Sequence, residues 1–213
     1  MTQPYRIVVG YDYSSIANLA LTQAFEAASK EALAEVHVLN VLTIGLDISP
    51  TEGALQTGLS QAMNDAYVNV QAQAVQLMAT WQATTQKSFA RLVAHVRYEY
   101  PAREIVQLAS DLGANLVVVG SHGRRGFDHF LMGSVSEGVI RLAPCPVLVV
   151  RPQVSATEGP AIAPPCPECV AARRASGGKE FWCEQHRERH GQRHTYHYES
   201  RVAQPTNPSL VLR

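Results

Sequence analysis

Two groups of residues in this chain of 213 amino acids have types and spacings suited to binding chemistry. The first lies in GSHGRRGFDHFLMGSVS, where Gly120, Gly123 and Gly133 are followed by Ser134 and Ser136. Glycine has no Cβ atom, so its backbone amide can approach an anionic oxygen closely, and the first amides of a following helix favour the same charge. The serine hydroxyls add donors. The segment predicts a phosphate-binding loop, although glycines also serve ordinary turns.

The second group lies near the carboxyl end, where two residues separate Cys166 from Cys169, and two separate Cys183 from His186. Two such ligand pairs are typical of a tetrahedral zinc site made only of protein ligands, which is a structural arrangement. His190 is a rival fourth ligand, because it follows His186 at helical spacing. The alternative is that the cysteines are reduced and bind no metal. Apolar residues are few here, so zinc would supply folding free energy on the order of 10 kcal/mol.

Hydrophobic patterns predict the elements that must position these residues. The predicted strands are Tyr5–Gly10, Val36–Leu42, Arg91–Tyr98, Asn115–Gly120 and Val147–Arg151. One helix follows the cap residue Ser14, and others cover about Gln56–Gln82, Glu104–Leu112 (with Pro101 in its first turn and Gly113 at its end) and Ser134–Leu142. This alternation predicts an α/β domain with a parallel sheet and helices on both faces.

In such a sheet, ligands bind beyond the carboxyl ends of the strands, where the winding reverses direction. Asp12 follows the first strand and could accept hydrogen bonds from a ribose or an adenine amino group, or it could simply cap the turn before the first helix. Val41 and Val119 could form apolar walls around a base, or belong to the ordinary core. His122 is interpreted as a residue that orients the loop, so no catalytic residue is assigned.

The composition excludes some classes of protein and indicates domain boundaries. The formal net charge is zero, so no attraction to nucleic acid or to an anionic membrane is expected, and no segment has the length and apolar character of a transmembrane helix. The start of the chain lacks an export signal pattern, which predicts a cytoplasmic protein. We expect a main domain over 1–152, a Pro- and Ala-rich linker over 153–165, a zinc-binding module over 166–201 and a tail over 202–213.

Four segments, IVVGYDYSS, PAREIVQLASDLGANLVVVGSHGRRG, LMGSVSEGVI and APCPVLVVRP, together resemble the ATP-binding members of the universal stress protein family over about Tyr5–Pro152. The resemblance implies a five-stranded sheet of order 3-2-1-4-5, as in the related adenine nucleotide alpha hydrolases, and a homodimer paired through Val147–Val150. It implies ATP as ligand, with or without Mg²⁺. The residues expected around adenine and ribose are Gly10, Tyr11, Asp12 and Val41, and those around the phosphates and ribose are Val119, Gly120, His122, Gly123, Gly133, Ser134, Val135 and Ser136.

Two departures from the family pattern are Tyr11, larger than the usual residue before the aspartate, and the YEY sequence before Pro101, where a glycine is common. No GxxxxGK[ST] motif occurs, so at most slow ATP hydrolysis or autophosphorylation on Ser134 or Ser136 is expected. The function implied is that of a nucleotide-dependent regulator of the stress response. The alternative is an interaction protein that binds no nucleotide and recruits an unknown protein partner through its zinc-binding tail.

Overall fold

The computed structural model of the chain describes residues 3–43, 52–122, 132–152 and 165–188, with the side chains of 52–57 and 188 left aside. The chain divides into two compact units, Met1–Gln153 and Val154–Arg213, and each is treated by itself below. In the described ranges, none of the helices has both the length and the hydropathy that crossing a membrane requires.

The first unit contains a five-stranded parallel sheet of order β3-β2-β1-β4-β5, which confirms the expected architecture. Ile7 pairs with Val36 on one side and with Leu116 on the other, so the winding reverses between β1 and β4. The strands are β1 (Tyr5–Gly10), β2 (Ala34–Leu42), β3 (Arg91–Tyr98), β4 (Leu116–Gly120) and β5 (Val147–Val150), and the helices of this unit are α1 (Ser15–Ala28), α2 (Glu52–Thr85), α3 (Pro101–Leu112) and α4 (Ser134–Leu142).

Local signals in the sequence determine where several helices begin and end. Ser14 caps α1, since its Oγ accepts a hydrogen bond of 3.1 Å from the amide of Ala17. Pro101 occupies the first turn of α3, where the missing amide hydrogen costs nothing. Gly113 ends α3 in a left-handed conformation with φ of 58°, which glycine adopts without strain. Helix α2 extends beyond its predicted range at both ends, from Glu52 to Thr85.

The sheet separates two hydrophobic clusters. One cluster lies between the sheet and helices α1 and α2, where Phe25 contacts the rings of Trp81 and Phe89 at centroid distances of 5.6 and 5.3 Å. The other lies between the sheet and helices α3 and α4, around Val117 and Ile105. Because both faces are covered, the central strands are largely apolar, and the residues that follow the strand ends are left to form a site.

A pair of histidines interrupts this apolar interior. His37 on β2 and His95 on β3 are stacked, with 2.9 Å between Nδ1 of the former and Nε2 of the latter. His37 Nε2 lies 3.5 Å from Glu35, whose carboxylate also contacts Arg6 at 3.1 Å and Arg91 at 3.5 Å. Burial lowers the pKa of His37, and burial together with the His37 and Arg97 charges lowers the pKa of His95 to about 4.

These histidines predict a loss of stability as the pH falls from about 6.5 to about 4. The unfolded chain protonates its histidines near pH 6.5 while the folded protein keeps His95 neutral, so the unfolded state binds more protons in this window. We expect His95→Gln to reduce the loss, as measured by urea unfolding at pH 7.0, 5.5 and 4.5. The carboxylates titrate in both proteins, so the difference between the two proteins reports on the His37–His95 pair. Equal losses in both proteins would contradict this prediction.

Candidate functional site

The candidate nucleotide site lies where the winding of the sheet reverses. Strands β1 and β4 are neighbours, with Val9 paired to Val118, so their carboxyl ends emerge side by side. The turn into α1 continues from the end of β1, and Ser121 and His122 follow β4. The amino end of α4 returns to the same edge, because the amide of Gly133 donates a hydrogen bond of 2.8 Å to the carbonyl oxygen of Ser121.

The glycines that end these two strands have a packing role. A Cβ atom on Gly10 would lie 2.6 Å from Cδ1 of Ile105 on α3, and a Cβ atom on Gly120 would lie 2.5 Å from Cγ2 of Ile16 on α1. Both distances are shorter than a van der Waals contact, so the helices approach the sheet edge closely because these residues are glycines. Helix packing is therefore sufficient to explain Gly10 and Gly120.

Tyr11 turns its ring away from this edge. Its side chain is 4% exposed within the cluster beneath α1, and its hydroxyl donates a hydrogen bond of 2.6 Å to Oδ1 of Asn18. Burial, followed by the neighbouring Tyr13 and Asp12, raises the pKa of Tyr11 to about 12. The ring therefore belongs to the core, and it is the backbone of Tyr11 that lies at the candidate site.

Asp12 has a clear local role in the turn after β1. Its Oδ1 atom accepts a hydrogen bond of 3.1 Å from the amide of Ser14, the residue that caps α1. Tyr13 between them has φ of 68°, a left-handed conformation that is uncommon for a residue with a side chain. This geometry favours the capping interpretation of Asp12, and it leaves the carboxylate next to the carboxyl end of β1.

The amino end of α4 has no side-chain cap, because its N-cap residue is Gly133. The first hydrogen bond of the helix runs from the amide of Glu137 to the carbonyl of Gly133. The amides of the three residues between them therefore have no partner within the helix. Ser136 is 3% exposed and its hydroxyl donates a hydrogen bond of 2.6 Å to the carbonyl of Gly120, which fastens α4 to the end of β4. The side chain of Ser134 is exposed. The positive end of the helix dipole thus lies at the switch point of the sheet.

His122 carries a buried atom without a partner. Its Nδ1 lies 2.7 Å from the hydroxyl of Ser121, which is fully buried, whereas its Nε2 is inaccessible to solvent and makes no hydrogen bond. If the Ser121 hydroxyl donates to Nδ1, the hydrogen of the imidazole is on Nε2 and its donor capacity is unused. A buried donor without an acceptor costs about 1–3 kcal/mol, so an acceptor supplied by a ligand would be favourable.

The remaining predicted residues differ in their surroundings. Val119 is 3% exposed and lies in the cluster beneath α3 and α4, as an ordinary core residue does. Val41 and Val135 are half-buried and pack on the same cluster. Gly123 lies outside the described residues.

Two buried polar residues, one within an apolar strand and one directly after another, were not predicted from the sequence. Asn40 is 6% exposed, and its side-chain amide donates a hydrogen bond of 2.8 Å to the carbonyl of Tyr11, which holds the turn after β1 against β2. Asn40 also lines a cavity of about 510 Å³ with Tyr13 and with residues of α2 that include Asp65. The second missed residue is Ser121. Each is a hydrophilic residue within or directly after a buried strand. A polar residue among apolar ones was the feature of the sequence that could have indicated them.

In the second unit, the four predicted metal ligands come together. Helix α5 (Pro167–Ala175) begins directly after Cys166, and helix α6 (Glu184–Glu188) follows Cys183. The ligand atoms of all four residues lie within 4.8 Å of one another. Cys169 Sγ is 3.6 Å from Cys183 Sγ, and His186 Nδ1 is 3.3 and 3.4 Å from these two sulfurs.

The three distances among Cys169, Cys183 and His186 fit a tetrahedral metal site. With Zn–S bonds of about 2.3 Å, tetrahedral geometry places two sulfurs about 3.8 Å apart and a sulfur and a nitrogen slightly closer. The backbone amide of Cys169, followed by that of Glu168, lowers the pKa of the Cys166 thiol and so favours the thiolate that binds metal. The rival ligand His190 lies outside the part of the chain that the structure describes.

Comparisons with known proteins agree with this architecture. The profile of the universal stress protein family matches residues 5–151. A universal stress protein of Mycobacterium tuberculosis is 34% identical over 152 residues (68% of this chain and 45% of the relative), and one of Methanocaldococcus jannaschii is 31% identical over 147 residues (68% and 81%). The solved structure of universal stress protein UspA from Lactobacillus plantarum has a TM-score of 0.55 at 27% identity, covering 71% of this chain and 100% of that one.

The parallel sheet with a reversal between β1 and β4 defines a doubly wound α/β protein. Within that class, the chain belongs to the universal stress protein family. The matched part spans less than half the length of the mycobacterial relatives and most of the length of the archaeal one. Membership of the universal stress protein family and the strand order inferred from the sequence are confirmed, whereas the ATP-binding type stays a prediction.

Proposed function

We propose that this chain binds ATP at the edge formed by the ends of β1 and β4 and acts as a nucleotide-dependent regulator in the stress response. The proposal depends on one observation: the uncapped amino end of α4 and the unpartnered Nε2 of His122 occur at the same edge. Among the described residues, no side chain caps the α4 amides, and His122 Nε2 is a donor without a partner when the Ser121 hydroxyl donates to Nδ1. A phosphate group supplies several acceptor oxygens and a negative charge that the helix dipole favours.

In this proposal the amides of Ser134, Val135 and Ser136 donate to phosphate oxygens, as the sequence also predicts for the amides of Gly120 and Gly123. The ring of His122 donates through Nε2, with its tautomer set by the Ser121 hydroxyl. At the other end of the nucleotide, the backbone of Gly10 and Tyr11, the carboxylate of Asp12 and the half-buried Val41 contact ribose and adenine. Val119 contributes to the wall from within the core.

Fast phosphoryl transfer is not part of the proposal. Asp12 and His122 are the titratable residues proposed for the site, and each already has a hydrogen-bond partner in the protein. Fast transfer also needs a positioned nucleophile and usually a metal carboxylate. We therefore propose at most slow hydrolysis, or autophosphorylation on Ser134, because its side chain is exposed while the Ser136 hydroxyl is buried against Gly120.

Isothermal titration calorimetry with ATP tests the site through Gly133→Val. The backbone at this residue is extended (φ −65°, ψ 145°), so valine is compatible with the conformation, and its Cβ would lie 3.3 Å from the carbonyl oxygen of Ser121. The added side chain should obstruct the amides of α4 and weaken ATP binding at least tenfold, or about 1.4 kcal/mol. Gly123→Val should have a similar effect.

Gly58→Val is the matched control, because a Cβ there meets nothing within 4 Å. It should bind ATP as the unmodified protein does, and circular dichroism should show all three variants folded. Unchanged affinity in folded Gly133→Val would contradict the site. Absence of ATP binding in the unmodified protein would favour the alternative, an interaction protein that keeps the fold without the nucleotide.

We further propose that Cys166, Cys169, Cys183 and His186 bind one structural zinc ion. The mutual distances of their ligand atoms support this, as does the near absence of other buried residues, since Cys169 and Cys183 are the buried residues of the described part of this unit. A unit with so small an apolar core gains the folding free energy it needs from metal binding. The same module is where a protein partner would be recruited if the interaction function is correct.

Metal analysis of the purified protein tests the zinc site. We expect about one zinc per chain, retained by Cys145→Ser and lost by Cys183→Ser, since the former cysteine lies in the first unit, far from the cluster in sequence. Proteolysis should cleave the second unit faster once zinc is removed with a chelator. Substoichiometric zinc in the unmodified protein, or full zinc in Cys183→Ser, would refute the assignment.

A homodimer through β5 is also proposed. This strand is at the edge of the sheet, and Leu148 on it and Ile140 on α4 are exposed. An apolar sheet edge is stabilised by pairing with a second copy.

Analytical ultracentrifugation of Leu148→Lys tests this interface. A charge at the edge of the sheet should convert dimers to monomers and raise the dissociation constant of the dimer at least tenfold. The control is Leu33→Lys, at a position that is 50% exposed before β2. A monomeric unmodified protein, or equal dimerisation of all three proteins, would exclude the interface.

A further inference from the structure

We propose that the Cys/His cluster is also a site of oxidation by peroxide, which converts Cys166 and Cys169 to a disulfide and releases the metal. This inference rests on the proposed zinc site. It goes beyond that site because it assigns different roles to the three thiols. Three features support it: the accessibility of the sulfurs, their spacing along the chain and the number of ligands that remains after oxidation.

The three thiols differ in accessibility. Cys169 and Cys183 are only 2% and 8% exposed, whereas Cys166 is partly exposed at the N-cap of α5. A small oxidant in solution therefore reaches Cys166 first.

The thiol placed to complete the reaction is that of Cys169. It lies three residues further on, in the first turn of the same helix, so the two Cα atoms are separated by roughly one helical turn, a distance of about 5–6 Å that a disulfide spans. The sulfurs are already within 4.8 Å of each other. The amide of Cys183 donates a hydrogen bond of 3.4 Å to Sγ of Cys169, which holds this second sulfur in place.

The chemistry balances with hydrogen peroxide as the oxidant. The Cys166 thiolate attacks one peroxide oxygen, the O–O bond breaks, and a sulfenic acid and hydroxide form. The Cys169 thiolate then attacks the Cys166 sulfur, forms the S–S bond and expels a second hydroxide. The two thiolates together lose two electrons, the peroxide gains them, and two protons from solvent convert the hydroxides to water.

The disulfide removes two of the four ligands. Cys183 and His186 alone cannot complete a tetrahedral zinc site, so the ion is released and its contribution to the folding of the unit is lost. Oxidation is thereby converted into a structural change of the second unit. Reduction by a thiol restores Cys166 and Cys169 and allows zinc to bind again.

The test treats the full-length zinc-loaded protein with hydrogen peroxide and follows two readouts. Zinc release is measured with a chromogenic chelator, and disulfides are mapped by peptide mass spectrometry without reduction. We expect one zinc released for each Cys166–Cys169 disulfide, and at least tenfold faster oxidation of Cys166 than of Cys145, whose pKa is raised by burial. Cys169→Ser should stop at the sulfenic acid, which dimedone traps on Cys166. Cys183→Ser should still form the disulfide, and Cys145→Ser should behave as the unmodified protein.

The zinc content before peroxide is added tests the zinc site separately from this proposal. A protein that contains zinc but forms no disulfide, or forms one between Cys169 and Cys183, would overturn the oxidation proposal while leaving the zinc site intact. A disulfide joining Cys166 to Cys183 would also overturn it. If the protein contains no zinc, the release of metal is refuted. Mapping of the disulfide then shows only whether Cys166 and Cys169 are the first thiols to react.

Discussion

The side-by-side pairing of β1 and β4 is the constraint on which the first unit depends. Ile7, Val8 and Val9 pair with Leu116, Val117 and Val118, and the chain winds away from this pair in opposite directions. The turn after β1 and the amino end of α4 therefore meet at one edge. Close approach of α1 and α3 to that edge requires Gly10 and Gly120. The same packing that stabilises the fold also leaves the amino end of α4 beside the carboxyl end of β4.

Most of the fold could be predicted because its signals are local. Ser14, Pro101 and Gly113 act within a single turn, and the apolar runs of β1 and β4 are typical of strands covered on both faces. Contacts between strands have no such local signal. The His37–His95 pair, the Asn40 bond to Tyr11 and the Ser121–His122 contact join residues whose meeting depends on register and rotamer. The direction of the Tyr11 ring into the core was missed for the same reason.

The two units differ in how much apolar surface they bury. The first buries two extensive apolar clusters, whereas the described part of the second buries little besides Cys169 and Cys183. Spacing alone was sufficient to predict the four residues of this cluster, since ligand pairs two residues apart are brought together by short turns and helix starts. Spacing could not predict that Cys166 is the accessible thiol, because burial depends on the three-dimensional arrangement. A unit whose stability depends on thiolate ligands is sensitive to any chemistry that removes them.

The central proposal is that the amides at the amino end of α4 and Nε2 of His122 donate hydrogen bonds to the phosphate groups of ATP. Nuclear magnetic resonance of the ¹⁵N-labelled protein during an ATP titration tests it most directly. The account predicts saturable shifts of the amides of Ser134, Val135 and Ser136 and of Nε2 of His122, with the resonance of Gly58 unchanged. Saturable ATP binding that leaves these four groups unshifted would contradict the account, as would a complete absence of shifts at millimolar ATP.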